Sequence, residues 1–477
     1  MESASLIQSL EKLLGVEAVT SAADELLVYE CDGHTIERAL PTAVVFPTTA
    51  EQIAEVVRLC HRLRVPFLAR GAGTGLSGGA LPVEGGVLIE MARMNRVLEI
   101  DEVNQVAVVE PGLVNLRLSQ AVQGMGLYYA PDPSSQAACT LGGNAAENSG
   151  GPHTLKYGVT TNHVLGLEMV LPNGETITCG SRAGRGPGYD LTGLLVGSEG
   201  TFGIITKIIV RLTRLPEAYK TLAAVFPSID AASSTVTEII GAGIIPAALE
   251  MIDHFVLRAV EAYLHLGFPA AAGAVLLIEL DGIRDGLDEL AERIEAICRQ
   301  NGSLEVRVAK DDAERALLWK ARKEAFGALG RVTRSFYTHD GVIPRTKLPE
   351  ALRRIYAIVE KHGLGIANVF HAGDGNLHPL VLFDDRKPGD QERALKAGEE
   401  ILRVCVDLGG SLSGEHGIGL EKREWMPWFF TDQDLELMQR VRSVFNPEGL
   451  CNPGKVFPTP GRCVETRPFA KAPNVSA

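Results

Sequence analysis

The chain has 477 residues, with 46 Lys and Arg against 59 Asp and Glu, a net charge of −13. Apolar residues make up 45% and charged residues 22%, the balance of a globular protein with a packed core. The acidic excess argues against a nucleic-acid footprint, which needs a basic face. No run approaches the roughly 18 apolar residues of a membrane span, and eight cysteines without a Cys-x-x-Cys argue against structural zinc, an iron–sulfur cluster or a disulfide framework.

The opening "MESASLIQSLEKLLG" lacks a basic n-region and a long apolar core, so residues 1–37 are predicted as a helical segment without a secretory signal. In "PTTAEQIAEVVRLCHRLRVPFLAR", Thr48 and Glu51 pair as a capping box. Ile53, Val56, Val57, Cys60 and Leu63 then recur at helical spacing, Pro66 stops the helix, and "FLAR" is a short buried strand. "GVLIEM", "QVAVVEPG" and "HVLGLEMVLPNGETIT" are further strands, the last folding back at Asn173-Gly174. Near Pro216 long strands such as "YKTLAAVFPS" and "AAGAVLLIELDG" begin to alternate with helices such as "GLDELAERIEAICRQNG" and "ALRRIYAIVEKHG". The pattern predicts an α+β protein with one domain over 38–216, a second over 217–458 that closes on a helical segment, and a loose tail over 459–477. The sequon at Asn474 reads as chance.

Glycines number 51, above the usual share of about 7%, and they cluster. "RGAGTGLSGGA" contains G-x-G-x-x-G, but "GGALPVEGG" follows and cannot open a helix, so a Rossmann site fails on context. Bare glycine loops still present successive N–H groups to a pyrophosphate, and Arg70, Gly71, Ala72, Gly73, Thr74, Gly75, Leu76 and Ser77 are the candidates here. "APDPSSQAACTLGGNAAENSGG" adds Pro131, Ser134, Ser135, Gly142, Gly143, Ala145, Asn148 and Gly151, a small-residue surface on which a flat ring can lie. "VGSEGTFGIIT" adds Glu199, Gly203 and Ile205. Three such loops suggest one long ligand threaded across a sheet edge.

In "NVFHAGDGNLHPL", His371 and His378 flank a tight turn, a spacing wrong for one helix face but right for a strand that turns and returns. Such histidines serve hydrogen bonding as readily as metal. Glu415 in "SGEHGIG" completes a two-histidine, one-carboxylate set with open coordination positions, suited to zinc, iron or manganese alike. His416 is then the candidate general base. A metallohydrolase could use the same set on water, but it leaves the three glycine loops unexplained.

Together, "RGAGTGLSGGALP", "YYAPDPSSQ", "NVFHAGDGNLHPL", "SGEHGIGLEK" and "NPGK" resemble the FAD-linked oxidases of the vanillyl-alcohol oxidase/para-cresol methylhydroxylase superfamily. The first half is similar to their two-subdomain FAD-binding domain. The second is similar to the C-terminal domain of glycolate oxidase subunits, D-lactate dehydrogenases and D-2-hydroxyglutarate dehydrogenases, with "LYYAPDPSSQ" and "LEMID" leaning toward the glycolate subunit. The resemblance, over roughly Tyr29 to Arg462, implies FAD, a zinc-like divalent metal on His371, His378 and Glu415, and His416 as base. It also implies Asn452 returning to the flavin, and Arg322 gripping the substrate carboxylate. By residues alone Arg322, beside Lys320 and Lys323, reads as a solvated helix face. The first loop has no His or Cys for a covalent link, so FAD is expected to be noncovalent. Dicarboxylate-specific relatives carry a lysine just before the aspartate that is Asp340 here. This chain has Thr338 and His339, favouring a small monocarboxylate. The expected activity is oxidation of glycolate, or next D-lactate, by hydride transfer to FAD; a D-lactate or D-2-hydroxyglutarate dehydrogenase acting alone is the alternative. The expected partners are a second flavin-like subunit and an iron–sulfur subunit, with the chain cytoplasmic and reaching the inner face of the membrane only through them.

Overall fold

The helix Ala50–Leu63 buries Ile53, Val56, Val57 and Cys60 against the strands Ala43–Val45, Val87–Glu90 and Phe67–Arg70, which run parallel in that order. Its cap is Thr49 rather than Thr48. Thr49 Oγ1 accepts from Gln52 N because the first helical residue is Ala50, while Thr48 bonds the Gln52 side chain. The helix ends at Arg64, in the left-handed conformation, two residues before Pro66. The computed structural model describes residues 3–184 and 186–459; the expected tail from 460 on, with Cys463 and the Asn474 sequon, lies outside the described residues.

A second, antiparallel sheet joins Val97–Asp101, Val106–Val109, Ile204–Arg211, Val164–Val170 and Thr176–Gly180, the last two linked through the predicted turn at Asn173-Gly174. The first glycine loop leaves the strand Phe67–Arg70, the third leads into Ile204–Arg211, and together with Gly142 and Gly143 of the second they line one cavity between the two sheets. The C-terminal segment is woven in here. Phe67 pairs with Cys451, Asn452 N donates to Phe67 O (2.8 Å), and Asn452 Nδ2 donates to Gly79 O (3.0 Å) and Glu199 O (2.8 Å).

Beyond residue 216 a large antiparallel sheet takes over, ordered Glu305–Val308, Ala218–Phe226, Ala274–Gly282, Ala248–Asp253, Gly365–His371. The strand Ala218–Phe226 shows why its sequence is apolar without alternation. Leu222, Ala224 and Phe226 pack into one core and Ala223 and Val225 into another, so both faces are covered by helices. Each fully buried Leu, Ile or Phe on such a sheet contributes about 1.5–3 kcal/mol. Polar residues inside these strands therefore stand out, and they mark the site. No helix of the described residues is long and apolar enough to cross a membrane.

Candidate active site

The strand Gly365–His371 turns through Gly373-Asp374-Gly375 and returns as Asn376–Leu377 and Pro379–Phe383. Asp374 Oδ1 accepts from Asn376 N, and Gly375, at φ 81, lies against Ile343 O. The turn brings the two imidazoles together, with ring centroids 5.1 Å apart. Glu415 Oε1 lies 3.4 Å from His371 Nε2 and 3.3 Å from His378 Nε2. One donor atom from each of these three residues falls within 4.8 Å of the others.

His416 stacks obliquely on the other side of His378, at 4.9 Å between centroids, with its Nε2 3.8 Å from Glu415 Oε1. Asp340, His378 and His416 form a second convergent set. Asp340, however, is committed elsewhere. Its carboxylate accepts from Ser413 Oγ (2.5 Å) and from the N–H groups of Gly414 (3.1 Å), Glu415 (3.3 Å) and His416 (2.8 Å), with Lys422 Nζ at 3.4 Å. Asp340 thus shapes the loop that presents Glu415 and His416. In the first set His378 Nε2 is buried without a hydrogen-bond partner. Two imidazoles and a carboxylate with a buried unpartnered nitrogen are a donor set that fits a divalent cation.

Electrostatics follow the same arrangement. Burial opposes charge on Glu415, but the neighbouring histidines, His371 foremost, hold its pKa down at about 2. Burial and the adjacent His416 and His371 push His378 well below its usual value. Burial also opposes charge on His371, yet Glu250 and Glu415 raise it well above 6.5.

Glu250 is the residue that sequence reasoning missed. Fully buried in the strand Ala248–Asp253 and paired in register with His371, it accepts from His371 Nδ1 (2.8 Å) and from Arg322 Nε (2.6 Å). Arg322 is therefore not on a solvated face: Lys320 and Lys323 are exposed, while Arg322 is buried and faces the sheet. The available signal was a carboxylate inside "AALEMID", a strand otherwise apolar.

A cavity of about 140 Å³ opens beside His371, Glu415, Asn376 and Gly150. A water needs only about 10–15 Å³ by this measure, so the space takes a small organic acid.

Another cavity, the first in chain order, lies where the glycine loops meet. Of the predicted cofactor residues, Arg70, Gly71, Gly142, Gly143, Glu199, Gly203, Ile205 and Asn452 line it. Gly142 is pressed on Pro111, where an added Cβ would stand 2.5 Å from Pro111 Cβ. The others build the surroundings. Ala72, Gly73, Thr74, Gly75 and Leu76 continue the loop to Ser77, whose carbonyl accepts from Leu420 N and Glu421 N. Pro131 O accepts from Asn115 Nδ2, Ala145 O from Gly197 N, and Asn148 Oδ1 from Thr161 N. Ser135 O takes the N–H of Cys139, Ser134 is exposed, and Gly151 packs on Asp132 O. Glu147, absent from the prediction, also lines the cavity, and its Oε2 is buried without a partner.

The loop 413–419 joins the two cavities. Asp340 holds one end; at the other, Glu199 accepts from Ile418 N (2.8 Å) and Gly419 N (2.6 Å). Gly75 offers a probe of the loop beside this cavity, since an added Cβ would meet only Asp32 Oδ2, at 3.8 Å. Gly75→Val is expected to fold normally and lose flavin, seen as a purified protein with a reduced ratio of 450 nm to 280 nm absorbance. Full flavin content in that variant would remove the loop from the cofactor contact.

A glycine-walled cavity between two sheets is tied by the loop 413–419 to a histidine–carboxylate cluster, and the family matches identify the arrangement as that of an FAD-dependent oxidoreductase. Residues 41–180 match the family described as FAD binding domain, and residues 215–456 that described as FAD linked oxidases, C-terminal domain. The chain belongs to the FAD-linked oxidases. It is 48% identical to glycolate oxidase subunit GlcD of Escherichia coli over 95% of this chain and 91% of that one. The identity is 41% to the subunit of the same name from Bacillus subtilis, over 94% and 96%, and 31% to the D-lactate dehydrogenase of Anaerostipes hadrus, over 91% of both chains. The fold is also that of p-cresol methylhydroxylase, at a TM-score of 0.80 and 18% identity over 95% of this chain and 97% of that one.

Proposed function

We propose that the chain oxidises a small D-2-hydroxy acid, glycolate first and D-lactate next, to the 2-oxo acid. The observation that carries this reading is the set His371, His378 and Glu415, the last of which lies on the loop that Glu199 ties to the flavin cavity. FAD, noncovalently bound, supplies the hydride acceptor, and a divalent metal supplies a Lewis acid for the substrate's carboxylate and hydroxyl. The first glycine loop from Arg70 to Ser77, the small-residue loop through Gly142 and Gly143, and Asn452 hold the flavin. His371, His378 and Glu415 hold the metal, and Glu250 orients His371 by accepting from its Nδ1. Arg322, its Nε fixed by Glu250, turns its guanidinium to the substrate carboxylate. His416 takes the hydroxyl proton at Nε2.

Monocarboxylate preference rests on His339. It is fully buried against Tyr337, neither ring nitrogen has a partner, and burial and Lys422 pull its pKa down to about 3. An uncharged, enclosed ring offers a second carboxylate no cation. The similarity to two glycolate oxidase subunits supports assembly with further subunits: a second flavin-like chain and an iron–sulfur chain taking the electrons onward, in the cytoplasm at the inner face of the membrane. We also divide the chain at residue 216, with the flavin domain over 38–216 and the substrate domain over 217–458.

An anaerobic panel tests the substrate. Bound flavin is expected to bleach fastest with glycolate, then D-lactate, and slowly or not at all with L-lactate and D-2-hydroxyglutarate. Bleaching by D-2-hydroxyglutarate ahead of the other three would overturn the assignment.

A further inference from the structure

Between the two cavities runs the segment 150–157, and Gly150, His153, Leu155, Lys156 and Tyr157 each meet a group across the domain boundary. A Cβ on Gly150 would lie 2.8 Å from Glu415 Oε2, and one on Gly373 would lie 2.6 Å from Leu155 Cδ2. Lys156 Nζ donates to Asp281 O (2.7 Å) and pairs with its carboxylate, while Tyr157 Oη donates to Asp281 Oδ2 (2.6 Å).

His153 stands at the centre. Its Nδ1 is 2.8 Å from Asp132 Oδ2 in the flavin domain, and its Nε2 is 3.5 Å from Glu279 Oε1 in the substrate domain. The ring stacks on Trp319, 5.3 Å between centroids at 26°. Glu279 is fully buried and also accepts from Thr221 Oγ1 (2.6 Å), Trp319 Nε1 (2.6 Å) and Arg315 Nε and Nη2 (both 2.8 Å). Arg315 pairs with Glu279 alone, and Asp132 has the imidazole as its ion-pair partner, so a protonated ring between the two carboxylates balances the charge. Burial works against that charge, but Asp132 and Glu279 outweigh it and raise the His153 pKa to about 10. Trp319 and Arg322 lie three residues apart on the helix Asp312–Lys323, hence on one face.

We propose that His153 is a positioning residue: an imidazolium pin between Asp132 and Glu279 that sets the helix bearing Arg322 against the flavin wall. It gives the "PDPSSQ" stretch, which the first cavity leaves unused, a task at the domain boundary. The proposal rests on the functional reading above, because the spacing it fixes is that between substrate grip and hydride acceptor.

The test uses FAD-loaded protein. Amide exchange followed by mass spectrometry is expected to quicken in His153→Leu across 371–378 and 415–419, and to stay unchanged across 43–70. Flavin content is expected to hold while the rate of flavin reduction at saturating acid falls about tenfold to a hundredfold, the usual consequence of an ångström-scale misplacement. His153→Arg, which restores charge and two donors, is expected to recover both readouts. Unchanged exchange and reduction in His153→Leu would overturn the pin, and so would a His153→Arg variant no better than the leucine. Should His153→Leu fail to fold, Asp132→Asn is measured the same way, with wild-type behaviour counting against the proposal. A wild-type protein that no 2-hydroxy acid bleaches would sink the functional reading, yet the exchange comparison would still decide the pin.

Discussion

His416→Ala is expected to keep its FAD and its metal while losing turnover by about 10²–10⁴-fold, the usual worth of a positioned base. His416 and Glu415 are neighbours with different environments. Glu415 lies 3.3–3.4 Å from both histidines of the ligand set. His416 sits outside that set, against His378, and the Asp340 carboxylate that converges with it also accepts from the loop N–H groups. Removing His416 therefore takes away a proton acceptor and leaves three donors for the metal. Glu415→Ala and His371→Ala are expected to lose the metal instead. Metal analysis alongside turnover distinguishes these cases: an empty His416→Ala beside a loaded Glu415→Ala would reverse the two roles.

Glu250→Ala is expected to cost about 3–5 kcal/mol of stability, because it strands the buried Arg322 guanidinium without a counter-charge. It is also expected to weaken the metal about 10–100-fold, since His371 loses the acceptor that fixes its ring. Glu250→Gln keeps the shape and one acceptor oxygen, so both losses are expected to shrink. Urea unfolding and metal titration read the two effects separately. Wild-type metal affinity in Glu250→Ala would mean that the carboxylate serves Arg322 alone.

What the sequence disclosed and what it hid divide along the range of the interactions. The helix at Ala50–Leu63 and the hairpin at Asn173-Gly174 are written in local periodicity and turn chemistry, and the structure has both. The glycine loop after Arg70 was readable by exclusion, since nothing after it can start a helix. His371 and His378 were readable because both flank one turn. Glu250 was not, for the partners that make a buried carboxylate tolerable come 72 and 121 residues later. Asp340 was noticed only as a neighbour of His339, although its acceptors are what fold the loop 413–416. The cap at Thr49 slipped by one residue because Thr48 and Thr49 offer the same hydroxyl, and only the helix start decides between them.

The most direct measurement of the central claim compares metal-loaded holoprotein with chelator-stripped holoprotein in anaerobic flavin reduction by glycolate and its 2-deuterated form. The loaded protein is expected to bleach with a primary isotope effect. The stripped protein is expected to keep its FAD and bleach at least about 10²-fold more slowly, as losing several kcal/mol of Lewis-acid assistance requires. Equal rates with and without metal, while His371, His378 and Glu415 remain intact, would contradict it.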